Sequence, residues 1–407
     1  MESVFSSAEI ARPFEMFSVR HEYDEDEDPR KIYLVVGAYR TEEGEPWVLP
    51  VVQKTELEMA SDKSLNHEYL MYLGDDSFRQ AATRLLLGDK NPAILEGRAI
   101  GIQSISGTGA IRVGAEFLRR VLKFKTVYIC NPTWDNHHRI FNLTGYSSIR
   151  EYRYWDAAKK GLDLAGLLDD LQQAPPRSVV MLHACAHNPT GCDPTREQWA
   201  KIADVMEERK LFPFFDAAYH GFATGDLEND AWTVRYFVER GFELFCAQSF
   251  AKNFGLYNER IGNLTIVLND PSVITNLENH MMILIRGLYC SPPNHGMRIV
   301  ERILNNPQLF QEWQENIRTM ANRVLTVRKA LRERLEKLST PGSWEHITQQ
   351  IGMFSFTGLT PHQVEFMVKE RHIYMLKNGR INMCALNSRN LDYVAQAMHD
   401  AIVQCPT

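Results

Sequence analysis

Ser178-Val179-Val180-Met181-Leu182-His183-Ala184-Cys185-Ala186-His187-Asn188-Pro189-Thr190-Gly191 opens on a β-rich apolar run and closes on a polar turn. Residues 195–209 follow with Trp199, Ile202, Ala203 and Met206 at helical spacing. Leu211-Phe212-Pro213-Phe214-Phe215 is then a second apolar run. Strand, helix, strand in that order reads as a βα unit built on a parallel sheet covered on both faces. The same signature recurs outward. Thr126–Cys130, Glu243–Ala247 and Gly262–Val267 are further short apolar runs between amphipathic stretches.

From Pro307 the pattern becomes one long helix, with Leu309, Trp313, Ile317, Met320, Val324, Val327 and Leu331 at intervals of three and four. Pro341-Gly342 stops it. A strand-like Gly352–Phe356 and helices over Pro361–Arg371 and Leu391–Val403 complete a smaller α+β part. The opening stretch to about Arg30 reads as irregular, and Asp24-Glu25-Asp26-Glu27-Asp28 as a solvated loop.

At 407 residues, and ~150 residues per domain, the chain is expected to hold two or three domains. A net charge of −6 gives no sign of a nucleic-acid surface. No apolar run approaches the roughly 18 residues of a membrane span. The seven cysteines show neither CxxC nor a Cys/His ligand spacing, so no disulfide framework and no metal are expected, and reduced thiols suit the cytoplasm.

In open α/β sheets, ligands bind beyond the carboxyl ends of the strands. Ser104-Ile105-Ser106-Gly107-Thr108-Gly109-Ala110 precedes a helix expected over Ile111–Arg120, and small residues there present free amides and hydroxyls to an anion. An ordinary capped turn is the equally good alternative at that point. Asn131-Pro132-Thr133-Trp134 places an aromatic at a strand mouth, where core packing is the commoner use. Asp216 follows Phe214-Phe215 directly, and a buried carboxylate needs a cationic partner. Lys252 stands at the mouth of an equally apolar strand, where desolvation would lower its pKa and make it nucleophilic. Anion cradle, aromatic, amide, carboxylate, phenol and lysine together match what pyridoxal phosphate requires.

The residues from about Pro29 onward resemble the cytosolic aspartate aminotransferases of the fold-type-I, class-I pyridoxal-phosphate family. The carrying segments are Val36–Arg40, Asn66–Leu70, Asn131–His137, His183–Gly191, Lys252–Gly262, Gly352–Leu359 and Gly379–Asn382. The number of unusual substitutions makes it similar to a divergent paralogous branch. The resemblance implies an α/β fold with a mostly parallel seven-stranded sheet in a large domain, residues 47–319. It also implies a small domain, residues 14–46 and 320–407, an N-terminal arm over 1–13, and a linking helix at about 307–338.

It implies roles as well. Lys252 would join the cofactor as a Schiff base and then move the substrate proton, with Asp216 at the ring nitrogen and His137 behind it. Tyr219 and Asn188 would bond the ring oxygen and Trp134 would cover the ring. Ser106, Gly107, Thr108, Ser249 and Arg260 would hold the phosphate, with Tyr69 from the partner subunit. Arg380, assisted by Gly37, Trp134 and Asn188, would clamp the α-carboxylate, and Arg286 from the partner would take the side-chain carboxylate. The implied reaction exchanges the amino group between L-aspartate and 2-oxoglutarate in a cytoplasmic homodimer.

Val35, Ala251, Cys290, Ser291, His220 and Ala385 depart from the family pattern. Val35 stands where the family has glycine, and a left-handed backbone there would cost roughly 1–3 kcal/mol. Ala385 would crowd the Arg380 clamp. Two alternatives therefore stay open: a racemase, decarboxylase or lyase of small acidic amino acids, and a catalytically weak cofactor-binding paralogue acting through dimerisation.

Overall fold

The computed structural model describes residues 3–9 and 13–406, so the arm expected over 1–13 lies partly outside the described residues. The apolar runs are strands of one seven-stranded sheet: β1 (Ala99–Ile105), β2 (Thr126–Asn131), β3 (Ser148–Arg153), β4 (Val179–His183), β5 (Phe212–Ala217), β6 (Leu244–Ser249) and β7 (Ile261–Val267). Their spatial order is β1-β7-β6-β5-β4-β2-β3. All pairs are parallel except those of β7, which runs antiparallel to both β1 and β6. Burial explains the sequence: every residue of β4, β6 and β7 is buried, as expected of strands covered on both faces.

The helix Arg196–Glu208 is started by a capping box from Thr195 and Gln198, and buries Trp199, Ile202, Ala203 and Met206 against the sheet. The long helix runs Pro307–Lys337, capped by the Asn306 side chain, with its apolar stripe in the largest core cluster. Arg328, also on this helix, is wholly buried. Its guanidinium donates to the carbonyls of Ile347, Gly352 and Phe354.

Two expectations are corrected here. The opening stretch is not irregular, because Glu15–Glu25 is a helix. Nor is its acidic run merely solvated. Asp26 Oδ2 accepts from His372 Nδ1 at 2.6 Å and from the Tyr374 hydroxyl at 2.8 Å, pinning the segment to the C-terminal part of the chain. Beside that pin Ile32–Tyr33 pairs in parallel with Ile373–Tyr374. Phe354–Phe356 pairs antiparallel with Arg380–Asn382. Among the described residues no helix is long and apolar enough to cross a membrane.

Candidate active site

The carboxyl ends of β2, β4, β5 and β6 open on a cavity of about 290 Å³. Its wall includes Gly37, Ser106, Gly107, Thr108, Trp134, Asn188, Asp216, Tyr219, Ser249, Lys252, Arg260 and Arg380, twelve of the residues singled out from sequence. His137 lies directly behind, its Nε2 3.1 Å from Asp216 Oδ2 and its Nδ1 2.8 Å from Thr133 Oγ1. Burial works to raise the pKa of Asp216, but the hydrogen bond from His137 and the fields of His137, His183 and Lys252 outweigh it. The carboxyl is held below its ordinary value, so it stays anionic.

Lys252 faces the cavity with Nζ 5.3 Å from the centre of the Tyr219 ring. Burial lowers its pKa, only partly opposed by Asp216, which favours the neutral, nucleophilic amine. Burial also raises the Tyr219 phenol, keeping its proton in place as a donor.

The anion cradle differs from its sequence reading. The helix begins at Ser106, not Ile111, so Gly107 and Thr108 lie in its first turn, where amides lack intrahelical partners. Ser106 has φ of 62°, and its backbone sits so close to β7 that a Cβ on Gly262 would lie 2.4 Å from the Ser106 carbonyl carbon. A Cβ on Gly107 would meet the Ser249 side chain at 3.0 Å. These contacts hold the Ser106 and Ser249 hydroxyls 3.3 Å apart at the helix end. Arg260 completes the cradle and, among the described residues, has no carboxylate within 4.0 Å.

Arg380 is the second cation without an anion. It is buried, Nη1 donates to Asn188 Oδ1 at 3.2 Å and Nη2 to the Val35 carbonyl at 2.9 Å, while Nε has no partner. The guanidinium lies 4.0 Å from the centre of the Phe354 ring. A buried guanidinium left unpaired by the protein suits a ligand carboxylate. The residues thus fit a compact phosphorylated, cationic-ringed aldehyde together with an acidic amine: two anion sites, an anionic partner for a ring nitrogen and a free amine in one cavity.

Tyr69 and Arg286 are not brought to this cavity. Tyr69 is 89% exposed, and Arg286 is also exposed, its guanidinium 5.6 Å from the centre of the Tyr72 ring. Met16, His183, Ala218, Tyr257 and Phe354 line the cavity without having been assigned roles. Tyr257 fell within the recognised segment Lys252–Gly262, whereas Met16 carried no signal at all.

Among the departures from the family pattern, Val35, Ala385, Ala251 and His220 have no positive φ. Val35 is not left-handed; it is fully buried against Val19, Tyr374 and Leu376, so the strain expected there is absent. Ala385 sits in a short 3₁₀ turn without positive φ, and its carbonyl accepts from Asn390 Nδ2 at 2.9 Å. Ala251 lines the cavity, its amide donating to Ser249 Oγ at 3.3 Å. His220 is buried with Nε2 3.0 Å from the Leu227 carbonyl. Cys290 is exposed, with φ of 68°.

A lysine at the mouth of β6, a carboxylate at the end of β5 and an anion cradle after β1 define an α/β enzyme site for a phosphorylated cofactor. Residues 29–398 match the family of class I and II aminotransferases, and the chain belongs to it. It is 56% identical to the cytoplasmic aspartate aminotransferase of Gallus gallus over 99% of both chains. The cytoplasmic aspartate aminotransferase of Saccharomyces cerevisiae superposes with a TM-score of 0.96 at 40% identity, covering 99% of each chain. An aromatic-amino-acid aminotransferase of Burkholderia pseudomallei, covalently bound to pyridoxal phosphate, superposes with a TM-score of 0.95 at 36% identity, covering 98% of this chain and all of that one.

Proposed function

We propose that this chain is a pyridoxal-phosphate-dependent aminotransferase that converts L-aspartate and 2-oxoglutarate into oxaloacetate and L-glutamate. The observation that carries the reading is the convergence of Lys252, Asp216 and the unpaired Arg380 on one cavity, within a chain so similar to aspartate aminotransferases. Pyridoxal phosphate, when bound, supplies the aldehyde carbon and electron-withdrawing ring that amino-group exchange requires.

The protein's part is binding, orientation and proton movement. Ser106, Gly107, Thr108, Ser249 and Arg260 hold the phosphate, and Trp134 covers the ring. Asp216, kept anionic by His137, holds a proton on the ring nitrogen. Tyr219 and Asn188 donate to the ring oxygen. Lys252 Nζ would take the proton from the substrate's Cα and deliver it to the cofactor's aldehyde-derived carbon within the same half of the cycle, and would run the transfer in reverse in the other half. Arg380, steadied by Asn188 and the Val35 carbonyl, binds the α-carboxylate beside Gly37.

We read residues 14–46 and 320–407 as a small domain against a large one over 47–319. A homodimer supplies Tyr69 and Arg286 across the subunit boundary, the latter for the second carboxylate; their exposure supports this. Cytoplasmic residence follows the named relatives. No observation favours the racemase, decarboxylase or lyase alternatives.

The test is spectroscopic. Adding L-aspartate to the cofactor-loaded protein is expected to abolish its visible absorption band, and 2-oxoglutarate to restore it. A band indifferent to aspartate would overturn the assignment.

A further inference from the structure

We propose that Cys130, His183 and His187 form a binding site for one thiophilic divalent cation, zinc or cobalt, behind the cavity wall. Cys130 is distant in sequence from the two histidines, but β2 and β4 are parallel neighbours, so Cys130 near the end of one strand stands beside His183 at the end of the other. The turn after β4 then brings His187 back onto them.

The geometry matches a metal polyhedron. Cys130 Sγ lies 3.2 Å from His187 Nε2 and 3.8 Å from His183 Nδ1, and one ligand atom from each residue falls within 4.8 Å of the other two. Zinc bonds of ~2.3 Å to sulfur and ~2.05 Å to nitrogen, at a tetrahedral angle, put sulfur and nitrogen roughly 3.6 Å apart. The two sulfur–nitrogen distances bracket that value.

The surroundings orient the ligands. His187 Nδ1 is engaged by Thr190 Oγ1 at 2.8 Å, and Thr190 Oγ1 is itself fixed by the Cys192 amide at 3.1 Å. The ring is stacked on Tyr154 at 3.9 Å, so Nε2 is aimed at the sulfur. His183 Nε2 is buried without a partner.

Charge is also provided for. An arriving ion displaces the Cys130 thiol proton: the S–H bond breaks, a sulfur–metal bond forms and the proton leaves to solvent, with no change in oxidation state. One thiolate against a divalent ion leaves one positive charge, and an oxygen of anionic Asp216 lies within 4.8 Å of a His183 ring nitrogen to offset it. His183 also lines the cavity, which gives the ion a route inward, whereas Cys130 and His187 do not line it and have no part in the proposed reaction.

The full-length chain, as isolated and after removal of its cofactor, would be equilibrated with Co²⁺, freed of unbound ion and analysed for metal. Retention of one cobalt per chain with a near-ultraviolet thiolate-to-cobalt charge-transfer band is expected in at least one form. Cys130→Ser is expected to lose the band and at least about tenfold in retained cobalt. No retained ion in either form, or equal retention and an unchanged band in C130S, would overturn the site. Should C130S melt abnormally, X-ray absorption of the zinc-loaded natural protein decides: one sulfur and two imidazoles support the site, and oxygen ligation alone refutes it.

Discussion

Val35→Gly separates two opposed accounts of one residue. If the backbone at position 35 needed the left-handed region, glycine would relieve strain and stabilise the protein by roughly 1–3 kcal/mol. The structure says the reverse. Val35 has no positive φ, is fully buried and packs against Val19, Tyr374 and Leu376. Removing its side chain forfeits ~1.5–3 kcal/mol of burial. Freeing the unfolded chain with glycine costs another ~0.5–1 kcal/mol. The expected result is a loss of roughly 2–4 kcal/mol in urea unfolding of the cofactor-loaded protein. Val35→Ala, which keeps the backbone restricted, is expected to lose about 2 kcal/mol. Because the Val35 carbonyl accepts from Arg380 Nη2 at 2.9 Å, V35G is also expected to raise the KM for aspartate. The limit is about tenfold, since a hydrogen bond to a charged group is worth about 1.5 kcal/mol. A glycine variant equal to or more stable than the natural protein would refute the packing argument.

Three other perturbations have defined outcomes. His220 is held neutral by burial, its pKa lowered to about 4, against the bond to the Leu227 carbonyl that favours its charged form. The unfolded chain takes up that proton first, so stability is lost as pH falls from about 6.5 toward 4. His220→Gln is expected to spare about 2 kcal/mol of the loss between pH 7 and pH 5 in paired denaturation curves. Arg380→Lys surrenders the planar fork shared between Asn188, Val35 and the ligand carboxylate. Steady-state kinetics should show KM for aspartate raised about thirtyfold, equivalent to ~2 kcal/mol, with the cofactor band unaltered. Asp216→Asn removes the anion opposite the ring nitrogen, and kcat is expected to fall at least about a hundredfold in single-turnover measurements while the phosphate cradle still retains cofactor.

The strands of the sheet were legible because burial on both faces demands uninterrupted apolar runs, and Phe214-Phe215 or Leu244-Phe245 can do little else. Asp216 and Lys252 stood out for the same reason, as charges directly beyond such runs. The start of the helix at Ser106 was not legible. Its first turn is Ser-Gly-Thr-Gly, poor helix formers that are held in place by contacts from β6 and β7, which local propensity cannot register. Glu15–Glu25 escaped because it buries only Val19 and so has no apolar stripe to read. Arg380 entered through family resemblance alone, since nothing in Gly379-Arg380-Ile381 announces a guanidinium enclosed by Phe354 and Asn188. His183 and His187 are only four residues apart, but Cys130, 53 and 57 residues from them, could not be joined to that pair from sequence, because strand pairing brings the sulfur to them.

The hydrogen bonds from His372 and Tyr374 to Asp26 change what the amino terminus is for. The helix they anchor carries Met16 into the cavity wall, and Glu15 Oε1 accepts from the Lys377 amide at 2.6 Å, three residues before Arg380. A chain shortened to begin near Arg30 would keep every residue proposed to grip the phosphate and the ring, yet lose Met16 from the cavity wall. Trimming that end, or fusing bulky sequence to it, would therefore register first in which substrates are admitted and how firmly, and only later in whether the protein folds.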